Sequence, residues 1–207
     1  MNEKILITGG SGTIGKQIIP FFMGYGYDVL NYDLMAGLDI FDEKQLIESM
    51  NNVSVVIHLA GLAHPFLKNC SDDDYYKINF EGSKKVIDCS LKSGIRKFIF
   101  SSSGCVYGFW GGYCAPQKFP IDEKNYTPTI EQGNSAYGIS KLMVEDYLKD
   151  ISKKYKNFDA YCLRIEGPGG NGVRLEWING LHNNEQKSTL YTCPSYHFFA
   201  EISRINL

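Results

Sequence analysis

The chain has 207 residues, of which 43% are hydrophobic and 21% charged, and its net charge is −2. That is enough chain for one domain with a sizeable core, in the make-up of an ordinary globular protein. The near-neutral balance argues against a basic nucleic-acid-binding surface, and no stretch approaches the ~20 apolar residues that a membrane helix needs.

The start, Met1-Asn-Glu-Lys-Ile-Leu, lacks the long apolar core of a signal peptide, so a cytoplasmic location is expected. Six cysteines, at 70, 89, 105, 114, 162 and 193, are scattered along the chain. They form no Cys-x-x-Cys and no Cys/His cluster of zinc-like spacing, so they read as reduced thiols and no metal site is expected.

In chain order, Lys4 to Thr8 is a short apolar run that ends in glycines, as a buried strand would. Ile14, Ile18 and Phe22 then recur at helical spacing, with Pro20 expected to kink or shorten that helix. Tyr27 to Tyr32 reads as a second strand and Glu43 to Met50 as a short helix. Val53 to Leu59 is rich in β-branched residues and reads as a third strand. Ile78, Gly82, Val86 and Ser90 mark a long helix that Gly94 stops. Lys97 to Ser101 is a further strand, and the Gly-, Pro- and aromatic-rich stretch 105–134 reads as a long loop. Met143, Tyr147 and Ile151 mark a helix from about Ser135 to Lys154, followed by a strand from Ala160 to Ile165. Val173–Leu181 and Phe198–Arg204 read as further helices. Alternating strands and helices, with strands apolar on both faces, predict an α/β fold with a doubly wound parallel sheet. Ligands in such sheets bind beyond the carboxyl ends of the strands.

Several candidate residues fall at those ends. Thr8-Gly-Gly-Ser-Gly-Thr-Ile-Gly15 joins the first strand to the first helix, with glycines 9, 12 and 15 in Gly-x-x-Gly-x-x-Gly spacing. Glycines allow a tight turn and close approach of a ligand to the backbone, while the helix start offers N–H groups and a positive dipole end to a pyrophosphate. Gly9, Gly12, Thr13, Ile14 and Gly15 are therefore candidate cofactor contacts. Asp33 ends the second strand, 18 residues after Gly15. A carboxylate there can accept both ribose hydroxyls of NAD and would repel the 2′-phosphate of NADP. Leu34 and Met35 supply no cation for that phosphate, so NAD is the expected cofactor; a solvated turn Asp is the alternative.

Tyr137 and Lys141 stand four residues apart in Ser135-Ala-Tyr-Gly-Ile-Ser-Lys141. On a helix this puts the phenol and the ammonium on one face. The cation lowers the Tyr pKa from its reference of about 10, so the phenol can exchange a proton with an alcohol near neutral pH. With 14 Tyr in the chain, roughly one Tyr-x-x-x-Lys arises by chance, and it is the surrounding pattern that lends the pair weight.

The glycine spacing together with the Tyr-x-x-x-Lys pair resembles the short-chain dehydrogenase/reductase superfamily, with its Rossmann-like fold. The wording resembles its extended branch, the NAD-dependent epimerase/dehydratase family acting on nucleotide sugars. The matching phrases are Leu38-Asp-Ile-Phe-Asp42, His58-Leu-Ala-Gly61, Asn79, Ser101-Ser-Ser-Gly-Cys-Val-Tyr-Gly108, Pro120-Ile-Asp-Glu123 and Ser135 to Lys141, in order over about residues 3–165. The resemblance implies adenine contacts from Asp39 and Ile40 and a cofactor cleft lined by Leu59, Ala60 and Gly61. It implies that Asn79 and Ser101 stand beside the cofactor, although Asn79 also reads as a helix-packing residue and Ser101–Ser103 as a strand-end cap. Ser103 would hold the reacting oxygen, Tyr137 would be the general acid/base, and Lys141 would bind the nicotinamide ribose. His58 reads as a satisfied strand-end residue, and Tyr107 and Trp110 as loop-packing residues or walls of a substrate site. Gly104 and Cys105 stand where the family's sugar dehydratases carry an acidic pair, which disfavours a 4,6-dehydratase. An epimerase or a simple oxidoreductase on a sugar or nucleotide sugar remains. A non-catalytic NAD-binding sensor or degenerate family member is the alternative.

The resemblance also implies a homodimer through the helices around Asn79–Leu91 and Ser140–Ile151. Residues 1–168 are expected to form the NAD-binding domain with the catalytic residues. The 39 residues after Pro168 are fewer than the family's substrate lobe needs, so 169–207 reads as an abbreviated substrate or lid region. It would be a compact lid, a partial domain completed by a partner, or a truncated end.

Overall fold

The computed structural model describes residues 3–65, 67–108, 124, 127–165 and 200–204, the last group as backbone. Its sheet has the order β2-β1-β3-β4-β5-β6. The strands are β1 (Lys4–Thr8), β2 (Asp28–Tyr32), β3 (Val55–His58), β4 (Lys97–Ser103), β5 (Asp159–Ile165) and β6 (Ala200–Arg204). The first five run parallel, as expected, and β6 lies antiparallel to β5 with Ile165 opposite Ala200 and Tyr161 opposite Arg204. The chain passes from β1 outward to β2 and then back across β1 to β3, so the strand order reverses at β1. Thr8 pairs with both Tyr32 and His58, which places the loops after β1, β2 and β3 side by side.

Strand periodicity divides the core in two. Ile5 and Ile7 of β1, with Val55 and Ile57 of β3, face the helix α1 (Gly15–Gly24) through its Ile18, Ile19 and Phe22. Leu6, Val56, Phe98 and Phe100 face the opposite way, toward α2 (Glu43–Ser49), α4 (Gly82–Lys92) and α5 (Ala136–Lys154). Helices on both faces are what continuous apolar strands require. Phe98 and Phe100 are fully buried, and truncating either to Ala would cost about 3–5 kcal/mol.

Three local readings are corrected. Helix α1 runs through Pro20 to Gly24, so Pro20 does not shorten it; Pro20 is exposed, and only one intrahelical bond lacks its donor. The long helix starts earlier than its apolar spacing predicts. A short α3 (Asp72–Tyr75), opened by the Ser71/Asp74 capping box, runs through a π-helical segment, Tyr76–Glu81, into α4. The wide turn inserts a residue that a 3.6-residue period cannot register. Phe198–Arg204, read as a helix, contains strand β6, because pairing along the edge of β5 overrides a weak local preference. The expected helix Val173–Leu181, Trp110, the Pro120–Glu123 phrase and most of the region 169–207 lie outside the described residues. Among the described residues, no helix is long and apolar enough to cross a membrane.

Candidate active site

The loop after β1 is shaped by close backbone approach. Gly9 has φ +69, and a Cβ there would lie 2.6 Å from the Ala60 nitrogen. A Cβ on Gly15 would lie 2.3 Å from the Gly10 Cα, so the loop and the helix start are already in contact. Gly10, outside the counted glycine spacing, is equally confined: its Cβ would fall 2.3 Å from Asn31 Oδ1. Gly12 is exposed, and a Cβ there would meet only the Gly9 carbonyl, at 3.2 Å. The backbone N–H groups of Thr13 and Ile14, at the head of α1, find no acceptor among the described residues.

Asp33 is buried at the end of β2. Its Oδ2 accepts from the Ser11 N–H and its Oδ1 from the Met35 N–H, both at 2.9 Å, which caps the 3₁₀ turn Leu34–Ala36 and ties β2 to the glycine loop. Leu34 and Met35 are exposed. Asp39 caps the next turn through the Phe41 N–H, and its carbonyl accepts from the Tyr32 hydroxyl. Ile40 packs under Gly82 of α4.

The loop after β3 forms the opposite wall. The Ala60 N–H donates to Thr8 Oγ1, which bonds His58 Nδ1 at 2.6 Å, and His58 Nε2 bonds Ser83 Oγ at 2.8 Å. Burial, and secondarily the Lys141 charge, pushes the His58 imidazole down to about 3, so it stays neutral and structural. Gly61 has φ +151, and Asn79 packs where its Cβ would be, at 2.7 Å. Asn79 is fully buried in the π-helical segment. Its Oδ1 accepts from the Leu62 N–H at 2.7 Å, and its Nδ2 donates to the Leu62 carbonyl and to Ser140 Oγ, both at 3.2 Å. It thus joins the loop after β3 to α5.

The remaining candidates meet where β4 ends and α5 begins. Ser103 caps the 3₁₀ turn Gly104–Tyr107 by accepting from the Cys105 N–H. That turn abuts α5: a Cβ on Gly138 would sit 2.5 Å from the Cys105 carbonyl. Ser135 caps α5, placing Tyr137 in its first turn with the ring 5.9 Å from that of Tyr75. Lys141, one turn on, is 4% exposed. Its Nζ donates to the Ser101 carbonyl at 2.9 Å and lies 5.8 Å from the Tyr137 ring centroid and 4.9 Å from that of Phe100. Burial pushes the ammonium down to about 8, with Cys105 and Glu145 opposing the shift. Ser101 itself donates to the His58 carbonyl. The structure therefore gathers the predicted Ser, Tyr and Lys around one corner and the glycine loop, Asp33 and Leu59–Gly61 around the adjoining one. Sequence reasoning missed the largely buried Glu145–Arg164 pair, whose two members lie on different elements and bear no local signature.

These features agree with comparison to known proteins. Residues 5–192 match the model of the NAD dependent epimerase/dehydratase family. The chain belongs to that family. Among curated members, the UDP-glucose 4-epimerase uge1 of Schizosaccharomyces pombe is 31% identical over 87% of this chain and 56% of its own length. The human UDP-glucose 4-epimerase is 28% identical over 89% of this chain and 60% of its own. Among solved structures, the Brucella ovis UDP-glucose 4-epimerase in complex with NAD superposes with a TM-score of 0.67 at 28% identity, covering 78% of this chain and 51% of that one. The UDP-Glc/GlcNAc 4-epimerase of Campylobacter jejuni gives 0.68 at 26% identity, over 84% and 58%. This family member thus spans little more than half the length of those relatives.

Proposed function

We propose that this chain is an NAD-dependent epimerase of the short-chain dehydrogenase type, acting on a hydroxyl-bearing carbon of a nucleotide sugar. The observation that carries this reading is the buried Lys141 ammonium beside Tyr137, on the turn of α5 that packs against the Ser103-capped turn.

The chain's residues fit NAD. Gly12 is exposed and a Cβ there would meet a single carbonyl, where those on Gly9, Gly10 and Gly15 would run into several protein atoms, and the unbonded Thr13 and Ile14 N–H groups at the head of α1 would face the pyrophosphate. The Asp33 carboxylate would take the adenosine ribose. Asp39 and Ile40 would border the adenine; Leu59, Ala60 and Gly61 would floor the cleft; Ser101 and Asn79 would fix the residues around it. When bound, NAD supplies a reversible hydride acceptor. Ser103 would hold the reacting oxygen. Tyr137 would take the hydroxyl proton as the carbon is oxidised and return it when the ketone is reduced on its other face. Lys141, still largely ammonium at pH 7, would favour the phenolate and bind the nicotinamide ribose. Gly104 and Cys105 carry no carboxyl group, so nothing at those positions would eliminate water. Residues 1–168 would form the cofactor domain and 169–207 an abbreviated substrate region. The Tyr147–Asp88 hydrogen bond and the Lys84 ammonium over the Tyr147 ring already join α4 and α5 side by side, a surface on which two copies would pair. The free thiols of Cys70 and Cys89 suit the reducing cytoplasm.

The test is to incubate the protein with NAD and UDP-, GDP- or dTDP-hexoses and follow C-epimer formation by NMR. Turnover by the wild type, reduced about 10²–10⁴-fold in Tyr137→Phe with NAD binding retained, supports the reading. NAD binding indifferent to every sugar, with no turnover, would instead identify a non-catalytic NAD-binding member.

A further inference from the structure

A polar network behind the acid/base corner has no part in the proton transfer described above. Glu145 lies one turn beyond Lys141 and two beyond Tyr137 on α5, and it is buried. Its Oε2 accepts from Arg164 Nη2 at 2.6 Å and its Oε1 from Arg164 Nε at 3.1 Å. The Ser102 hydroxyl also donates to Oε1. A third guanidinium donor, Nη1, reaches the Tyr107 hydroxyl at 2.7 Å. One carboxylate–guanidinium pair therefore touches four elements: α5, β4, β5 and the 3₁₀ turn.

Two of those contacts bracket Ser103. Ser102 precedes it on β4, with its side chain on the opposite face of the strand. Tyr107 ends the turn that Ser103 caps. A bidentate Arg–carboxylate fork has narrow geometric tolerance, so it fixes its neighbours in angle as well as distance. Such a largely buried pair is weak evidence for stability, because desolvation of the two ions offsets much of their attraction. Its consequence here is placement.

We propose that Glu145 and Arg164 are positioning residues for the acid/base centre: gripping Ser102 and Tyr107, they set where Ser103 stands against the first turn of α5, and the Glu145 carboxylate supplies the countercharge that Lys141 faces. This rests on the acid/base reading of Tyr137 and Lys141 above. The other titratable groups around Lys141 are the neutral His58 from β3, Cys105 from the 3₁₀ turn and Tyr137 on its own helix, with Tyr75 of α3 behind Tyr137. Cys105 and the Glu145 carboxylate are the groups that oppose the effect of burial on Lys141.

The test uses the full chain with ¹³C-labelled lysine, comparing wild type with Glu145→Gln, Arg164→Lys and Ser102→Ala. Glu145→Gln preserves shape and removes charge. It should lower the Lys141 NMR titration midpoint by about one pH unit and kcat by about 10–100-fold, with the NAD dissociation constant changed less than about threefold. Arg164→Lys preserves charge and loses the fork, so it should lower kcat about tenfold while leaving the Lys141 midpoint in place. Should Glu145→Gln fail to fold, Ser102→Ala gives a second route, with an expected loss of about threefold to tenfold in kcat and an unchanged KM. A lowered unfolding midpoint accompanied by an unchanged Lys141 titration and unchanged turnover per folded molecule would overturn the proposal. If the wild type shows no turnover, the catalytic reading fails separately, and the pair is judged on the Lys141 midpoint alone: a shift in Glu145→Gln supports it, and no shift overturns it.

Discussion

The glycine loop after β1 and the opening turns of α5 both border the loop after β3, Gly9 at Ala60 and Lys141 at Gly61, yet they are held in different ways. Around the loop the contacts are made chiefly by backbone, with the Asn31 side chain closing on Gly10. Gly9 meets Ala60, Gly15 meets Gly10, and the one carboxylate involved, Asp33, accepts from main-chain N–H groups. Around α5 they are buried charges and hydroxyls: Lys141 on the Ser101 carbonyl, and Glu145 gripped by Arg164 and Ser102. The loop is limited by shape, so added atoms should break it. The α5 corner is limited by electrostatics, so lost or moved charge should break it while the fold tolerates the change.

The largest effect is expected on the shape-limited side. Gly9→Ala puts a methyl 2.6 Å from the Ala60 nitrogen at φ +69. Overpacking and the left-handed conformation together cost about 3 kcal/mol, readable as a fall in the urea unfolding midpoint with loss of NAD binding. Gly12→Ala sharpens the contrast. Its Cβ meets a single carbonyl at 3.2 Å, so stability should change by less than about 1 kcal/mol, while NAD affinity falls about tenfold or more as the methyl occupies the pyrophosphate's approach. Equal losses of stability in the two variants would erase the distinction between a packing glycine and a ligand-facing one.

On the electrostatic side the sign reverses. Lys141 is pushed down from 10.5 to about 8, chiefly by burial. Its folded pKa therefore lies below its unfolded one. Below pH 8 both states hold the proton and the full penalty of the buried charge is present. Between pH 8 and about 10.5 the unfolded state alone keeps its proton, so wild-type stability rises with pH through that window. Lys141→Met removes the penalty and also the bond to Ser101, for a net gain of about 2 kcal/mol at pH 7 that shrinks toward pH 10. Urea unfolding at pH 7 and pH 9.5 checks it. A variant less stable than wild type at pH 7, or a difference independent of pH, would show that the ammonium is structural.

The same division explains what could be read from the residues alone. Shape-limited features leave local marks. Glycines after an apolar run, an Asp at a strand end and a Ser before a helix each have one physical role, and β1, α1, the Asp33 turn and the Ser135 cap stand where those marks put them. Charge-limited features do not. Glu145 and Arg164 are 19 residues apart, and nothing around either one says that they meet. The π-helical turn holding Asn79 escaped because its cause is a contact with Leu62 and Ser140 made in the folded state. Strand β6 was misread because the edge of β5, not its own five residues, decides its form. Tyr137 and Lys141 lie between the two cases. Their spacing is local, while the burial that tunes Lys141 comes from packing such as that of the Phe100 ring beneath it.

Asp33 joins the two modes, since it is a charge used to hold a shape, and its replacement should have only a small effect on the fold. In Asp33→Asn the remaining carbonyl oxygen can keep either the Ser11 or the Met35 N–H, while the amide nitrogen turns a donor toward the other. One N–H of the cap loses its acceptor, at a cost of about 1 kcal/mol. The lost charge acts on the cofactor. A neutral amide accepts the ribose hydroxyls less well and no longer repels a 2′-phosphate, so the ratio of NADP to NAD dissociation constants should fall about tenfold. Calorimetric titration with both nucleotides measures that ratio, and the unfolding midpoint measures the cap. A shifted midpoint with an unchanged ratio would mean that Asp33 serves the glycine loop alone, and the preference for NAD would then have to be sought in the exposed Leu34 and Met35 that follow it.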